Sequence, residues 1–169
     1  MPTAKGGSWL IEEAPLESVF TRERLNDEQR MIGQTAEEFI DKEVLPANDR
    51  LEQKDWELAR ALGRRCGELG LLATDVPEAY GGLDLDKTSS VVVGEAVGRS
   101  ASFATTFGAQ TGLAITPILC FGTEEQKQKY LPRLVTGEII GAYALSESGS
   151  GSDALGARAL LHPGAGGRG

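Results

Sequence analysis

From Asn26 to Thr136 the chain repeats one pattern: apolar residues at helical spacing, interrupted by caps, glycines and prolines. Only one later stretch, IIGAYAL (139–145), reads as a strand. This imbalance constrains the fold more than any other feature. A series of helices can bury its apolar faces on itself, but a lone strand leaves a row of backbone N–H and C=O groups without partners. The expected fold is mainly α: a helical domain over residues 26–138, followed by the first strand of an incomplete β-domain.

LNDEQRMIGQTAEEFIDKEVLP (25–46) predicts the first helix. Asn26 and Gln29 form a capping box with acids in the first turn. Met31, Ile32, Thr35, Phe39, Ile40 and Val44 share one face, and Pro46 ends or bends the helix. A second helix is expected over about Asp55–Leu69, with Trp56, Leu58, Ala59, Leu62, Cys66 and Leu69 inward and Gly70 as its stop. LLATDVPEAYGGLDLD (71–86) reads as a loop turned by Pro77 and by Gly81 and Gly82. A third helix, about Lys87–Gly98, is expected to be buried on most sides through Val91, Val92, Val93, Ala96 and Val97. SFATTFGAQTGLAITPILCFG (102–122) reads as a helix or helix pair. Thr123 and Gln126 then box the start of a last helix that ends near Thr136 and Gly137. Residues 1–25 form a lead-in with a short apolar piece, SWLI (8–11).

Several function classes drop out. No apolar run approaches the ~20 residues needed to span a bilayer. The N-terminus lacks a basic start and an apolar h-region, and it carries Glu12, Glu13 and Glu17, which argues against secretory and transit peptides. A cytoplasmic location is expected. The net charge of −8, from 17 basic and 25 acidic residues, disfavours nucleic acid and anionic membrane as partners. Gly63–Cys66, GRRC, reads as the solvated side of a helix. Cys66 and Cys120 have neither disulfide-framework nor metal-ligand spacing, and both are expected to be buried and inert. The one histidine, His162, lies in the C-terminal tail, so the folded body has none for a Ser-His-Asp triad or a histidine metal site.

YALSESGSGSDALGA (143–157) carries the chemistry. On composition the loop reads as a flexible linker or as an anion cradle. Gly149 and Gly151 match the spacing of a dinucleotide fingerprint, but the third glycine comes late, at Gly156, and no βαβ unit surrounds them. A strand running into small residues offers backbone N–H groups and serine hydroxyls to a phosphate.

PEAYGGLDLD (77–86), GTEEQKQKYLPRLVTGE (122–138) and GAYALSESGSGSDALGARA (141–159) stand in the order of the acyl-CoA dehydrogenase family. From KGGSWLIEEA onward, nearly the whole chain resembles the N-terminal part of that family. The third stretch stands where the family carries A-x-[ST]-E-x-x-[AGS]-G-S-D, and ITPILCFGTEEQK (115–127) resembles the long-chain and very-long-chain branch. The resemblance implies an N-terminal helical domain, a middle β-domain and a C-terminal bundle. It also implies FAD as cofactor, an acyl-CoA thioester oxidised to its trans-2-enoyl form in fatty-acid β-oxidation, electron-transfer flavoprotein as acceptor, and a homo-oligomer for the full-length protein. In the family a glutamate removes the α-proton while the β-hydride passes to the flavin.

Carried over by position, the backbone at Tyr143 and Leu145 and the hydroxyl of Ser146 contact the isoalloxazine. Gly151 and Ser152 meet the pyrophosphate. Asp153 and Glu147 are expected to shape the loop, because an acid facing a pyrophosphate would repel it. Thr106, Ala109 and Leu113 are expected to line the acyl channel, with Ser152 as a further substrate contact. The small residues Gly108, Ala109 and Gly112 suit either room for an acyl chain or close helix packing.

The sequence leaves the family pattern at LLHPGAGGRG (160–169), where an alternating strand and a segment like NGxKxWITN are expected. Residues 160–169 read as an aberrant, disordered tail from a shifted frame or a truncation. No acid here stands in the context of the family's catalytic glutamate, so the chain alone is expected to be inactive, to bind FAD poorly, and to expose its strand as an edge. The alternative is a non-catalytic helical module that binds acyl groups or dimerises.

Overall fold

A computed structural model of the chain describes residues 7–158. Its α-helices there are α1 (Asp27–Phe39), α2 (Asn48–Glu52), α3 (Trp56–Glu68), α4 (Lys87–Val97), α5 (Ala101–Gly108), α6 (Thr116–Phe121) and α7 (Glu124–Val135). The lead-in consists of short 3₁₀ turns at Ser8–Leu10, Leu16–Ser18 and Arg22–Arg24. The tail expected to be aberrant, with His162, lies outside the described residues.

Local polar chemistry places the helix starts. Asn26 Oδ1 accepts from the Gln29 N–H at 2.8 Å, and Gln29 Oε1 accepts from the Asn26 N–H at 2.9 Å. Gln29 also donates through Nε2 to Asp86 Oδ2 at 2.6 Å, while Asp86 Oδ1 caps α4 by accepting from the Ser89 N–H at 2.9 Å. One polar node thus joins the starts of α1 and α4. Thr123 and Gln126 form the same reciprocal box at α7. Pro46 does not stop the first helical run. It has no N–H and crowds the carbonyl four residues back. The helix therefore widens into a π-turn at Ile40–Val44, tightens to a 3₁₀ turn at Leu45–Ala47, and resumes as α2.

The main core gathers Phe39, Ile40, Val44, Leu62, Cys66, Val93, Val97 and Phe103 from α1, α3, α4, α5 and the π-turn. Phe39 and Phe103 meet edge-to-face with ring centroids 5.7 Å apart. A second cluster joins Val76, Ala114, Ile115, Leu131, Leu134 and Val135 beneath α7.

Three apolar residues expected inside are outside. Met31 is 66% exposed, Trp56 64% and Val91 is also exposed. Trp56 is the first residue of α3 and borders an open groove, and Met31 borders another, so no neighbouring helix covers either. Cys66 is buried as expected, whereas Cys120, near the end of α6, is exposed. The strand expected at 139–145 does not form. Among the described residues no strand is present, and the pairing seen is an isolated antiparallel bridge between Glu147 and Ser150. Ile139 is a bend and residues 140–145 take no regular structure, because no second strand lies beside them among the described residues.

Candidate functional site

Beyond Gly108 the helix begun by α5 widens into a π-helix, Ala109–Ile115, before resuming as α6. Gln110 enters the interior there, with 4% of its surface exposed. Its Nε2 donates to the Leu134 carbonyl at 2.8 Å and to the Ile139 carbonyl at 2.9 Å. Its Oε1 accepts from the Gly141 N–H at 2.8 Å. Both amide protons and one oxygen lone pair are therefore used on the backbone leaving α7. The preceding turn is equally confined: Gly137 has φ +69°, and a β-carbon on it would stand 2.7 Å from the Gly63 carbonyl oxygen. No motif marks Gln110 in the sequence. The available signal was a single long amide inside a run of small and apolar residues.

Past Gly141 the chain runs in the open. Tyr143 is 53% exposed, and Leu145 and Ser146 are exposed. Among the described residues the backbone N–H groups of Tyr143 and Leu145 have no hydrogen-bond partner. The loop after them closes on itself. The Glu147 N–H donates to the Ser150 carbonyl at 2.8 Å, and the Ser150 N–H returns the bond at 3.2 Å. The Ser150 hydroxyl donates to the Asp153 carbonyl. Asp153 Oδ1 accepts from the Gly156 N–H at 3.2 Å, and Glu147 Oε2 accepts from the Arg158 N–H at 2.8 Å. Both acids thus shape the loop. Gly151 and Ser152 are left exposed at its tip, and a β-carbon on Gly151 would meet nothing within 4 Å.

Thr106 has two neighbourhoods. On one side it lines an apolar cavity of about 20 Å³ with Leu72, Phe103, Phe107, Gln110 and Ile140. That volume holds about one water molecule. On the other side it borders an open groove of about 320 Å³ with Leu51, Trp56, Ala59 and Thr105. Ala109 is half-buried, and Leu113 is 47% exposed and borders neither space. The wider π-turn shifts the phase of every residue after Ala109, so the one-turn spacing from Thr106 to Leu113 no longer holds one face. The structure brings Thr106 together with Gln110 and Ile140, and neither Leu113 nor the loop tip at Gly151 and Ser152 lines the two spaces that Thr106 borders.

Among the described residues no cluster of His, Cys, Asp and Glu suits a metal ion, and no helix is long and apolar enough to cross a membrane.

Residues 26–138 match the family model for the acyl-CoA dehydrogenase N-terminal domain. A probable acyl-CoA dehydrogenase of Bacillus subtilis is 51% identical over 154 residues, which cover 91% of this chain and 26% of that protein. The crystal structure of an acyl-CoA dehydrogenase from Bacillus anthracis complexed with FAD superposes with a TM-score of 0.83 at 52% identity, covering 92% of this chain and 26% of that one. A chain from the structure of the electron transferring flavoprotein of Acidaminococcus fermentans is also similar, with a TM-score of 0.72 at 36% identity over 80% of this chain and 36% of its own. The chain spans about a quarter of the length of the curated Bacillus subtilis relative.

Proposed function

This chain belongs to the acyl-CoA dehydrogenase family, and from that premise we propose that it supplies the helical, acyl-facing part and one flavin edge of an enzyme that oxidises an acyl-CoA thioester to its trans-2-enoyl form. The observation that carries the reading is the open segment after Gly141. It is held at its root by Gln110, and the amides of Tyr143 and Leu145 are unspent.

The residues fit FAD. Unpaired backbone N–H groups at Tyr143 and Leu145 and the exposed hydroxyl of Ser146 are donors suited to the polar edge of an isoalloxazine. The open space at Gly151 admits close backbone approach, and Ser152 adds a hydroxyl for pyrophosphate. FAD, when bound, supplies the acceptor for the hydride that leaves the acyl group. Thr106, which borders both spaces, faces the acyl chain, with Ser152 a further substrate contact; Ala109 and Leu113, expected beside it, line neither space, and the π-turn takes Leu113 off the face that Thr106 presents. The narrow cavity beside Thr106 cannot hold that chain as it stands, so the groove bordered by Trp56 and Thr105 is the wider approach.

Proton removal is not assigned to this segment. A general base must stand within hydrogen-bond reach of its proton, and Glu147 and Asp153 are engaged with the loop backbone. The finer reading is a long-chain substrate in cytoplasmic fatty-acid β-oxidation, a homo-oligomeric holoenzyme, and electron-transfer flavoprotein as acceptor.

The test compares the flavin-loaded protein carrying this segment with the 169-residue chain alone, each given acyl-CoAs of graded length and an electron-accepting dye. Reduction by the flavoprotein, strongest with long chains, and none by the chain alone is the expected result. Reduction by the chain alone, or none by the flavoprotein with any acyl-CoA, contradicts the reading. Acyl binding without reduction by either selects the non-catalytic acyl-binding module instead.

A further inference from the structure

We propose that Gln110 is a positioning residue for the flavin edge, setting the register at which residues 143–146 leave the helical body. This rests on the reading of Tyr143, Leu145 and Ser146 as flavin contacts.

The bonding pattern is the first argument. Through one side chain Gln110 engages the carbonyl of Ile139 and the N–H of Gly141, two residues apart in the chain. A single residue of a parallel neighbouring strand bonds to its partner strand in this way, through the residues before and after the one opposite. The carboxamide therefore replaces one residue of a missing strand, and it does so at one register only. A slip by one residue would turn the Ile139 carbonyl and the Gly141 N–H away from the amide. The additional bond to the Leu134 carbonyl ties the same side chain to the end of α7.

Steric confinement is the second. Gly141 is packed on the π-helix at Ala114, where a β-carbon would stand 2.1 Å from the alanine's own. Hydrogen bonds set the segment's position along its length, and this contact sets its height above the helices.

The third argument is distance. Tyr143 lies two residues beyond Gly141, so a link of at most ~7 Å separates the clamp from the first flavin contact. A link that short transmits a displacement at its root. Gln110 also lines the cavity that Thr106 borders, so one side chain stands between the acyl-facing helix and the flavin edge. The π-helix brings it there, and π-turns inside α-helices are frequent at functional sites.

The experiment uses the flavin-loaded protein that carries this segment. Gln110→Met keeps the bulk and removes all three hydrogen bonds. Gln110→Asn keeps the amide one methylene short and serves as the milder variant where the first fails to fold. The expected result for Gln110→Met is unchanged helical content, loss of hydrogen-exchange protection at the Gly141 amide, a shifted flavin absorbance band, and an FAD dissociation constant raised roughly tenfold. Gln110→Asn falls between it and the unsubstituted protein. A purely structural role would lower the yield of folded protein and leave the flavin band and FAD affinity of the folded fraction untouched. Unchanged band and affinity in the Met variant overturn the proposal alone. Absence of flavin from the unsubstituted protein overturns the reading of residues 143–146, and this proposal with it.

Discussion

Gly141 rests against Ala114 so closely that a β-carbon on the glycine would lie 2.1 Å from the alanine β-carbon. No side chain fits there without moving the segment or the π-helix. Gly141→Ala is expected to destabilise the chain by about 1–3 kcal/mol, the usual cost of overpacking a close contact. Adding Ala114→Gly should recover part of that loss, reduced by the ~1 kcal/mol a glycine costs inside a helix. Urea unfolding of the single and double variants measures both. Full additivity of the two substitutions would show that they do not share this contact.

Phe39 and Phe103 stitch α1 to α5 through an edge-to-face pair, each 2% exposed. Phe103→Ala removes the pair and opens a cavity where α1, α4 and α5 converge, at an expected cost of about 3–5 kcal/mol. Thermal and urea unfolding should both report it. A loss below about 1 kcal/mol would mean that the core refills the space.

Two carboxylates make stability acid-sensitive. Asp86 is held below the usual aspartate range first by the Ser89 backbone N–H, with the Ser89 hydroxyl and the Gln29 amide adding to it. Asp55 is held down first by the Leu58 backbone N–H and then by Arg50. A lowered folded pKa means the ionised form is preferred in the folded state. The stability from these groups is therefore fully present above about pH 4 and is lost as pH falls through their depressed folded values. Unfolding midpoints measured from pH 6 downward should fall in that window, and Asp86→Asn should flatten the fall. An identical pH profile in that variant would remove Asp86 from the explanation.

The two thiols differ. Cys66 is fully buried, and burial pushes its thiol well above the ordinary cysteine range, whereas Cys120 is exposed. An aromatic disulfide reagent at neutral pH should label one thiol per folded chain and two after unfolding. Rapid labelling of both in the folded chain would contradict the burial of Cys66.

Helix starts were readable because their chemistry is local. Asn26 with Gln29 and Thr123 with Gln126 each lie three residues apart, and the boxes formed as their spacing predicts. Which residues a helix hides depends on neighbours distant in sequence, so Met31, Trp56, Val91 and Cys120 were misplaced inward. IIGAYAL has strand character, but a strand needs a partner, and none lies beside it among the described residues. The role of Gln110 is illegible in the sequence for a related reason. Its partners lie 24 to 31 residues away, and the π-turn that delivers it follows no spacing rule. Family motifs pointed to Tyr143–Ser146 and Gly151–Ser152, while the clamp behind them became visible only in three dimensions.

The most direct measurement is a crystal structure of the FAD-loaded protein that carries this segment. The predicted result places the backbone of Tyr143 and Leu145 and the hydroxyl of Ser146 within hydrogen-bonding distance of the isoalloxazine, with Gln110 still bonded to Ile139 and Gly141. A flavin bound elsewhere, with residues 143–146 still open to solvent, would contradict it.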